Sequence, residues 1–266
     1  MSRFFVPSRN INYEDDTPVS IDIVGTDVNH IKNVLRKKEG DEILLCDSKG
    51  CEYACVISEI TQERIAVRVN VVNDVSSEPS VPVFIFQGVP KGDKMDLIVQ
   101  KGVELGVSGF CPVVTERTVV KFGSMQDREK KQTRWQRISL EAAKQCGRGT
   151  VPEVLVPVDF AEMIKMAKEG IFKNYLKLIP YENEETVTLK EVLKENKEKF
   201  FSECDEESPE FEGICLFIGP EGGFSQKEVD KVCDEGFVSV SLGKRILRTE
   251  TAGFAAVAAI RYEFGD

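Results

Sequence analysis

Histidine is nearly absent: His30 is the only one in 266 residues. Any Ser-His-Asp or Cys-His mechanism would have to run through that one imidazole, and a histidine-rich zinc site within one chain is excluded. No two of the eight cysteines form a C-x-x-C pair, and Cys46, Cys51 and Cys55 are the tightest group. Buried thiols explain them better than a zinc site. The strongest apolar stretches, such as residues 252–260, fall well short of the roughly 20 residues a bilayer span needs. The opening Met-Ser-Arg-Phe-Phe-Val-Pro is too short in apolar residues for a signal peptide. These absences predict a cytoplasmic protein with no membrane partner, no metal and reduced thiols. What is present, 41% hydrophobic and 30% charged residues, suffices for a packed core.

Acidic charge dominates, at net −10, but unevenly. Residues 101–150 carry ten basic and five acidic side chains, whereas residues 182–212 carry twelve acidic ones and four lysines. The basic stretch suits phosphate contacts or a solvated helix face. The acidic run at residues 203–207 reads as a solvated loop.

The first 72 residues read as mostly β. Short strands are expected at residues 4–6 and 21–24. A helix over 27–35 has Asp27 as N-cap and apolar Val28, Ile31, Val34 and Leu35 on one face. Residues 42–47 and 53–60 flank Ser48-Lys49-Gly50, a hairpin signal. Alternating Ile65, Val67, Val69 and Val71 predict a half-buried strand. Residues 73–82, with Pro79, Pro82 and three serines, read as a linker. From 83 to 266 strands and helices alternate, which predicts an α/β domain with a largely parallel sheet.

Ligands of such sheets bind beyond the carboxyl ends of strands, and two loops stand there. Gly219-Pro220-Glu221-Gly222-Gly223 follows the apolar strand 214–218 and precedes a Ser225/Glu228 capping box. Its glycines permit φ > 0 and close backbone approach, although a plain strand-to-helix turn would look the same. It matches neither dinucleotide nor P-loop spacing. The second loop, residues 242–252, packs Lys244, Arg245, Arg248 and Glu250 around Ile246 and Leu247. Exposed apolar residues gain nothing in a solvated loop, so they fit a pocket wall. Thr249 or Thr251 also fits a helix cap.

These two segments, IGPEGGF and LGKRILRTETA, resemble the RsmE family of RNA methyltransferases. Gln100-Lys101-Gly102-Val103-Glu104-Leu105-Gly106-Val107 resembles that family's QKxxELGV helix. Residues 112–121, Arg134-Trp135 through Arg148, and His30 through Arg36 with Gly40-Asp41 match further motifs in order, with Thr118 where serine is usual. The acidic segment 202–212 resembles an insertion.

The resemblance implies an N-terminal PUA-like β-barrel that binds RNA, a SPOUT α/β domain with a deep trefoil knot, and a homodimer. It implies S-adenosylmethionine-dependent methylation of uracil N3 in 16S ribosomal RNA, as naked RNA or in the assembled small subunit. The implied cofactor residues on the first loop are Ile218, Gly219, Pro220, Glu221, Gly222 and Gly223. On the second they are Leu242, Gly243, Ile246, Leu247, Arg248, Thr249, Thr251 and Ala252. Uracil N3 attacks well only after losing its proton, so a base or an anion-stabilising cation is needed; Arg248 and Glu250 are the catalytic candidates. N3 lies on the Watson–Crick edge, so the target must be unpaired or flipped. Candidate phosphate contacts are Arg9, Arg36 and Lys37 in the barrel, and Lys91, Lys94, Arg117, Lys121, Arg134 and Arg148 beyond it. Trp135 and Phe122 are able to stack on a base, though packing explains an aromatic on a long helix equally well. A non-catalytic RNA-binding or ribosome-assembly factor of the same fold, and a SPOUT enzyme acting on another nucleoside, are the alternatives.

Overall fold

The computed structural model describes residues 3–74, 77–201 and 209–265; residues 203–207 of the acidic loop lie outside them. It divides into two units. One comprises Met1–Glu78 with Ala143–Val151, the other Pro79–Ala142 with Pro152–Asp266. Composition and pattern predict residues 1–72 alone for the first unit. Segment 143–151 joins it because Glu78 accepts hydrogen bonds from Arg148 Nη2 at 2.6 Å and from the Gly149 and Thr150 amides, and Lys144 pairs with Asp27 at 2.9 Å.

The first unit is a six-stranded sheet: β1 (Arg3–Phe5), β2 (Ile11–Glu14), β3 (Thr17–Val24), β4 (Glu42–Cys46), β5 (Cys51–Ile60) and β6 (Arg64–Asp74). They are ordered β1-β4-β5-β6-β3-β2. The β2–β3 hairpin escapes a reading of the sequence because its turn residues, Asp15 and Asp16, are not glycine yet hold positive φ of 47° and 60°; aspartate tolerates that region better than most residues. β6 buries Ile65 and Val67, but Val71 is 51% exposed, so the strand outruns the core its alternation suggested. The expected helix starts one residue early, as α1 (Thr26–Asn29) after Gly25, and continues as a wider turn over His30–Val34 closed by Leu35 N–H to the His30 carbonyl. Asp27 is therefore not its cap; the Lys144 ammonium takes its carboxylate. His30 is exposed and meets the Phe4 ring edge-on at 5.7 Å.

The second unit is built on a parallel sheet of β7 (Val83–Gly88), β8 (Gly109–Val114), β9 (Glu153–Val154), β10 (Val158–Asp159), β11 (Tyr175–Pro180), β12 (Gly213–Ile218) and β13 (Val238–Val240). The order is β10-β8-β7-β12-β11-β13, with β9 on β8. Every residue of β7 and β12 is buried, which is why they read as continuous apolar runs rather than alternating ones. Between the strands run α2 (Lys94–Glu104), α3 (Met125–Cys146), α4 (Phe160–Lys168), α5 (Leu189–Asn196), α6 (Gln226–Asp234) and α7 (Thr249–Phe264). Phe86, Phe172, Phe217 and Phe224 anchor one core cluster. Trp135 is buried, a packing residue. Burial pushes the Cys46, Cys55 and Cys111 thiols up to about 12, so they remain unreactive. Among the described residues no helix is long and apolar enough to cross a membrane.

Candidate functional site

The carboxyl ends of β11 and β12 open onto two adjoining cavities of about 410 and 650 Å³. Loop 219–223 walls the smaller. Loop 242–248 contributes Ile246, Leu247 and Arg248 to it, and Leu242, Gly243, Lys244 and Arg245 to the larger. Pro180, Glu182, Ile246, Leu247 and Ala252 face both. The two segments, separated by α6 and β13 in sequence, thus form one trough.

Loop 219–223 is held from several sides. The Thr249 hydroxyl donates to the Gly219 carbonyl at 2.5 Å and accepts from buried Gln87 Nε2 at 2.9 Å. Arg117 Nη1 donates to the Gly222 carbonyl at 2.8 Å. Gly223 has φ +64°, and a Cβ there would come within 2.8 Å of Glu182 Oε1; one on Gly222 would come within 3.0 Å of Arg117 Cβ. The positive φ expected of the pair falls on Gly223 alone, while Gly222 serves close approach. Beyond the loop, Ser225 and Glu228 form the capping box that opens α6. The box also docks the preceding segment: Glu228 Oε1 accepts from the Glu116 amide at 2.8 Å, and the Ser225 hydroxyl donates to Glu116 Oε2 at 2.8 Å. Threonine replaces serine at 118 without loss, because its hydroxyl accepts the Thr115 N–H at 2.9 Å.

A charged triad sits at the cavity edge. Lys94 Nζ lies 3.1 Å from Glu221 Oε1 and 3.5 Å from Glu250 Oε2. Burial would raise the Glu221 carboxyl. Hydrogen bonds from its own backbone, Lys94 and the Lys91 amide outweigh that and hold it below the usual range. Glu250 Oε2 is buried and makes no hydrogen bond among the described residues; its ion pair is with Lys94. Sequence reasoning surrounds Glu250 with Lys244, Arg245 and Arg248; a lysine from α2 stands there instead. Arg248, as N-cap of α7, is exposed; its carbonyl accepts the Ala252 amide at 2.8 Å, but its guanidinium has no ion-pair or hydrogen-bond partner among the described residues.

Of the expected cofactor residues, Thr251 is displaced. It lies on the exposed side of α7 and walls neither cavity, because the helix begins at Thr249, so that residue 251 falls inside it and turns outward. Glu182, Phe224 and Lys94 wall the smaller cavity but are not among the cofactor residues the sequence points to; a carboxylate in an acid-rich stretch gives no local signal.

The cations expected on RNA divide. Arg9, Arg36, Lys91, Arg117 and Lys121 are exposed. Lys37 donates to the Glu42 carbonyl. Lys94 is taken by the triad. Arg134 pairs with Asp93 at 3.2 Å and with Asp96. Arg148 is 5% exposed and pairs with Glu78. The structure therefore removes Arg148 from the RNA-facing set: phosphate would have to displace a buried, multiply bonded carboxylate. Arg134, compensated by two aspartates, adds little net field.

A family model described as RNA methyltransferase domain matches residues 77–261, and one described as RNA methyltransferase PUA domain matches residues 24–70. The chain is 33% identical to ribosomal RNA small subunit methyltransferase E of Bacillus subtilis, over 99% of this chain and 97% of that one. It is 31% identical to the protein of that name from Buchnera aphidicola of Schizaphis graminum, over 89% and 88%. The crystal structure of ribosomal RNA small subunit methyltransferase E from Neisseria gonorrhoeae, bound to S-adenosyl methionine, superposes with a TM-score of 0.77 at 32% identity, covering 98% of this chain and 97% of that one. The chain belongs to the RsmE family of ribosomal RNA small subunit methyltransferases.

Proposed function

We propose that the protein transfers the methyl group of S-adenosylmethionine to N3 of an unpaired uracil in 16S ribosomal RNA, in the cytoplasm. The observation that carries this is the glycine cradle. The backbone of residues 219–223 walls, with Ile218 and Leu247, a cavity of about 410 Å³, and it is packed so closely that a Cβ at 222 would press on Arg117 and one at 223 on Glu182. That combination fits the flat apolar adenine and polar ribose of the cofactor. When bound, the cofactor supplies an electrophilic sulfonium methyl.

The remaining work falls to this chain. Loop 219–223, fixed by Thr249, Gln87 and Arg117, orients the donor, and in-line displacement is governed by such positioning. The Arg248 guanidinium stands uncommitted at the cavity wall, where its donors stabilise the uracil anion left when N3 loses its proton. Glu250 holds Lys94 rather than taking that proton, since its Oε2 is buried against the ammonium. Glu250→Gln should therefore weaken cofactor binding and lower the melting temperature. If instead it leaves both intact and its lost rate returns as pH rises and uracil ionises, Glu250 is the base.

Further parts of the reading follow the family. The first unit, with exposed Arg9 and Arg36, serves as the RNA-binding module. The chain threads a knot in its C-terminal part, in keeping with β12 lying between β7 and β11, both of which precede it. Two copies form a homodimer, for which the exposed side of α7, with Tyr262 87% exposed, is a suitable face. Calorimetric titration with S-adenosylhomocysteine tests the core of this reading. One site per chain is expected, with Gly222→Val abolishing the heat; absence of binding to the wild type would refute it. Light scattering in solution reports the dimer.

A further inference from the structure

A third cavity, of about 430 Å³, lies in the second unit against the start of α3. Its walls are Val120 and Phe122, the lysines 121, 130 and 131, Arg134, and Asp127. The cofactor reading makes no use of it.

Phe122 is held as a platform. The Arg128 guanidinium lies 5.5 Å from the ring centre. It is pinned there by Nη1 to the Pro157 carbonyl at 2.9 Å and Nη2 to Asp159 Oδ1 at 2.7 Å. Arg128 is not itself a wall, so the ring is backed by a fixed cation and presents its remaining surface to the cavity. The cations around it are of two kinds. Arg134 is committed to Asp93 and Asp96. Lys121, Lys130 and Lys131 are exposed, and their ammonium groups make no ion pair or hydrogen bond among the described residues. Three uncommitted ammonium groups around an aromatic and a valine match the two parts of a nucleotide: a flat base for the ring and phosphates for the lysines. An acidic peptide would satisfy the lysines but leave the ring without use.

The position is also telling. Arg134 binds the N-terminal turn of α2, and Lys94 in that same turn walls the 410 Å³ cavity. The two cavities thus flank one helical turn. An enzyme that does chemistry on a base acts on a flipped or single-stranded nucleotide, and in a single-stranded segment the neighbouring nucleotide is open to a second stacking site.

We infer that this cavity is a subsite for a second, unpaired nucleotide of the RNA substrate, its base stacked on Phe122 and its phosphates on Lys121, Lys130 and Lys131. The inference rests on the RNA-methyltransferase reading but not on N3 as the methylated atom.

The test measures binding of 16S ribosomal RNA at several salt concentrations. Phe122→Leu keeps an apolar side chain, though a smaller one, and removes the π-face. It should weaken binding about 5- to 100-fold with the salt slope unchanged, and Phe122→Tyr should restore it. Lys130→Gln with Lys131→Gln should lower the slope of log K against log salt by about 1.4, because each phosphate left unneutralised on a single strand removes roughly 0.7. S-adenosylhomocysteine affinity should stay constant throughout, which separates this site from the cofactor cavity and reports a fold left intact. Wild-type RNA affinity in Phe122→Leu, or an unaltered slope in the lysine pair, overturns the subsite even if N3-methyluridine is formed. Methylation at another atom, with these binding differences present, overturns the N3 reading and leaves the subsite standing.

Discussion

The two loops of the trough are built in opposite ways. Residues 219–223 are tied by Thr249, Gln87 and Arg117, with Lys91 and Lys94 on Glu221. Residues 244–247 make no hydrogen bond among the described residues, and Ile246 is 86% exposed. The first loop is a finished surface waiting for a ligand. The second carries its apolar and cationic groups uncommitted, free to close on one. Under the proposed function, the tied loop serves shape recognition and the free one reaction-dependent contacts, because oriented donors stabilise developing charge only where they are not already spent.

Removing the free guanidinium should give the largest effect. Arg248→Ala is expected to lower the single-turnover rate about 100- to 1000-fold, with cofactor and RNA affinities within a few-fold. Equal losses in rate and cofactor affinity would make Arg248 part of the binding surface and erase the contrast. Next comes the tied loop itself. Gly223→Val forces a β-branched residue into φ +64° and its Cβ against Glu182. Overpacking and a left-handed backbone each cost about 1–3 kcal/mol, so S-adenosylhomocysteine affinity should fall at least about tenfold.

Cutting one tie tests whether the bonds matter beyond the glycines. Thr249→Val leaves the Gly219 carbonyl without its shortest donor and Gln87 without its hydroxyl. A buried group stripped of its partner costs about 1–3 kcal/mol, to be read as a lower melting temperature together with weaker cofactor binding. The smallest effect is that of pH. The Glu221 carboxyl is held below its usual value in the folded protein. Its stabilisation is therefore complete above the unfolded value of about 4.5 and is lost as pH falls through the lower folded value. Melting curves from pH 6 downward should show that loss in the wild type and a smaller one in Glu221→Gln.

Which of these features can be read from the sequence follows from how local each one is. The capping box of Ser225 and Glu228 and the apolar strand that precedes it are legible because propensity and periodicity act over a few residues. The two loops of the trough are legible as segments from their motifs, and all the residues expected on them but Thr251 wall its cavities. Cation assignments are not. Arg134 and Arg148 look alike in the basic stretch, yet their partners Asp93, Asp96 and Glu78 lie about 40 to 70 residues away, so only the fold reveals that both are paired. The same holds for Glu182, Lys94 and the Asp15-Asp16 turn: each owes its role to a tertiary neighbour or a backbone angle that composition does not encode.

Methyl transfer to uracil N3 in this trough is open to one direct measurement. 16S ribosomal RNA, naked and in assembled small subunits, is incubated with methyl-labelled S-adenosylmethionine and digested to nucleosides for mass spectrometry. N3-methyluridine is expected with the wild-type protein and none with Arg248→Ala over the same time. Label on a ribose or another base, or no label from a protein that binds S-adenosylhomocysteine, would contradict it.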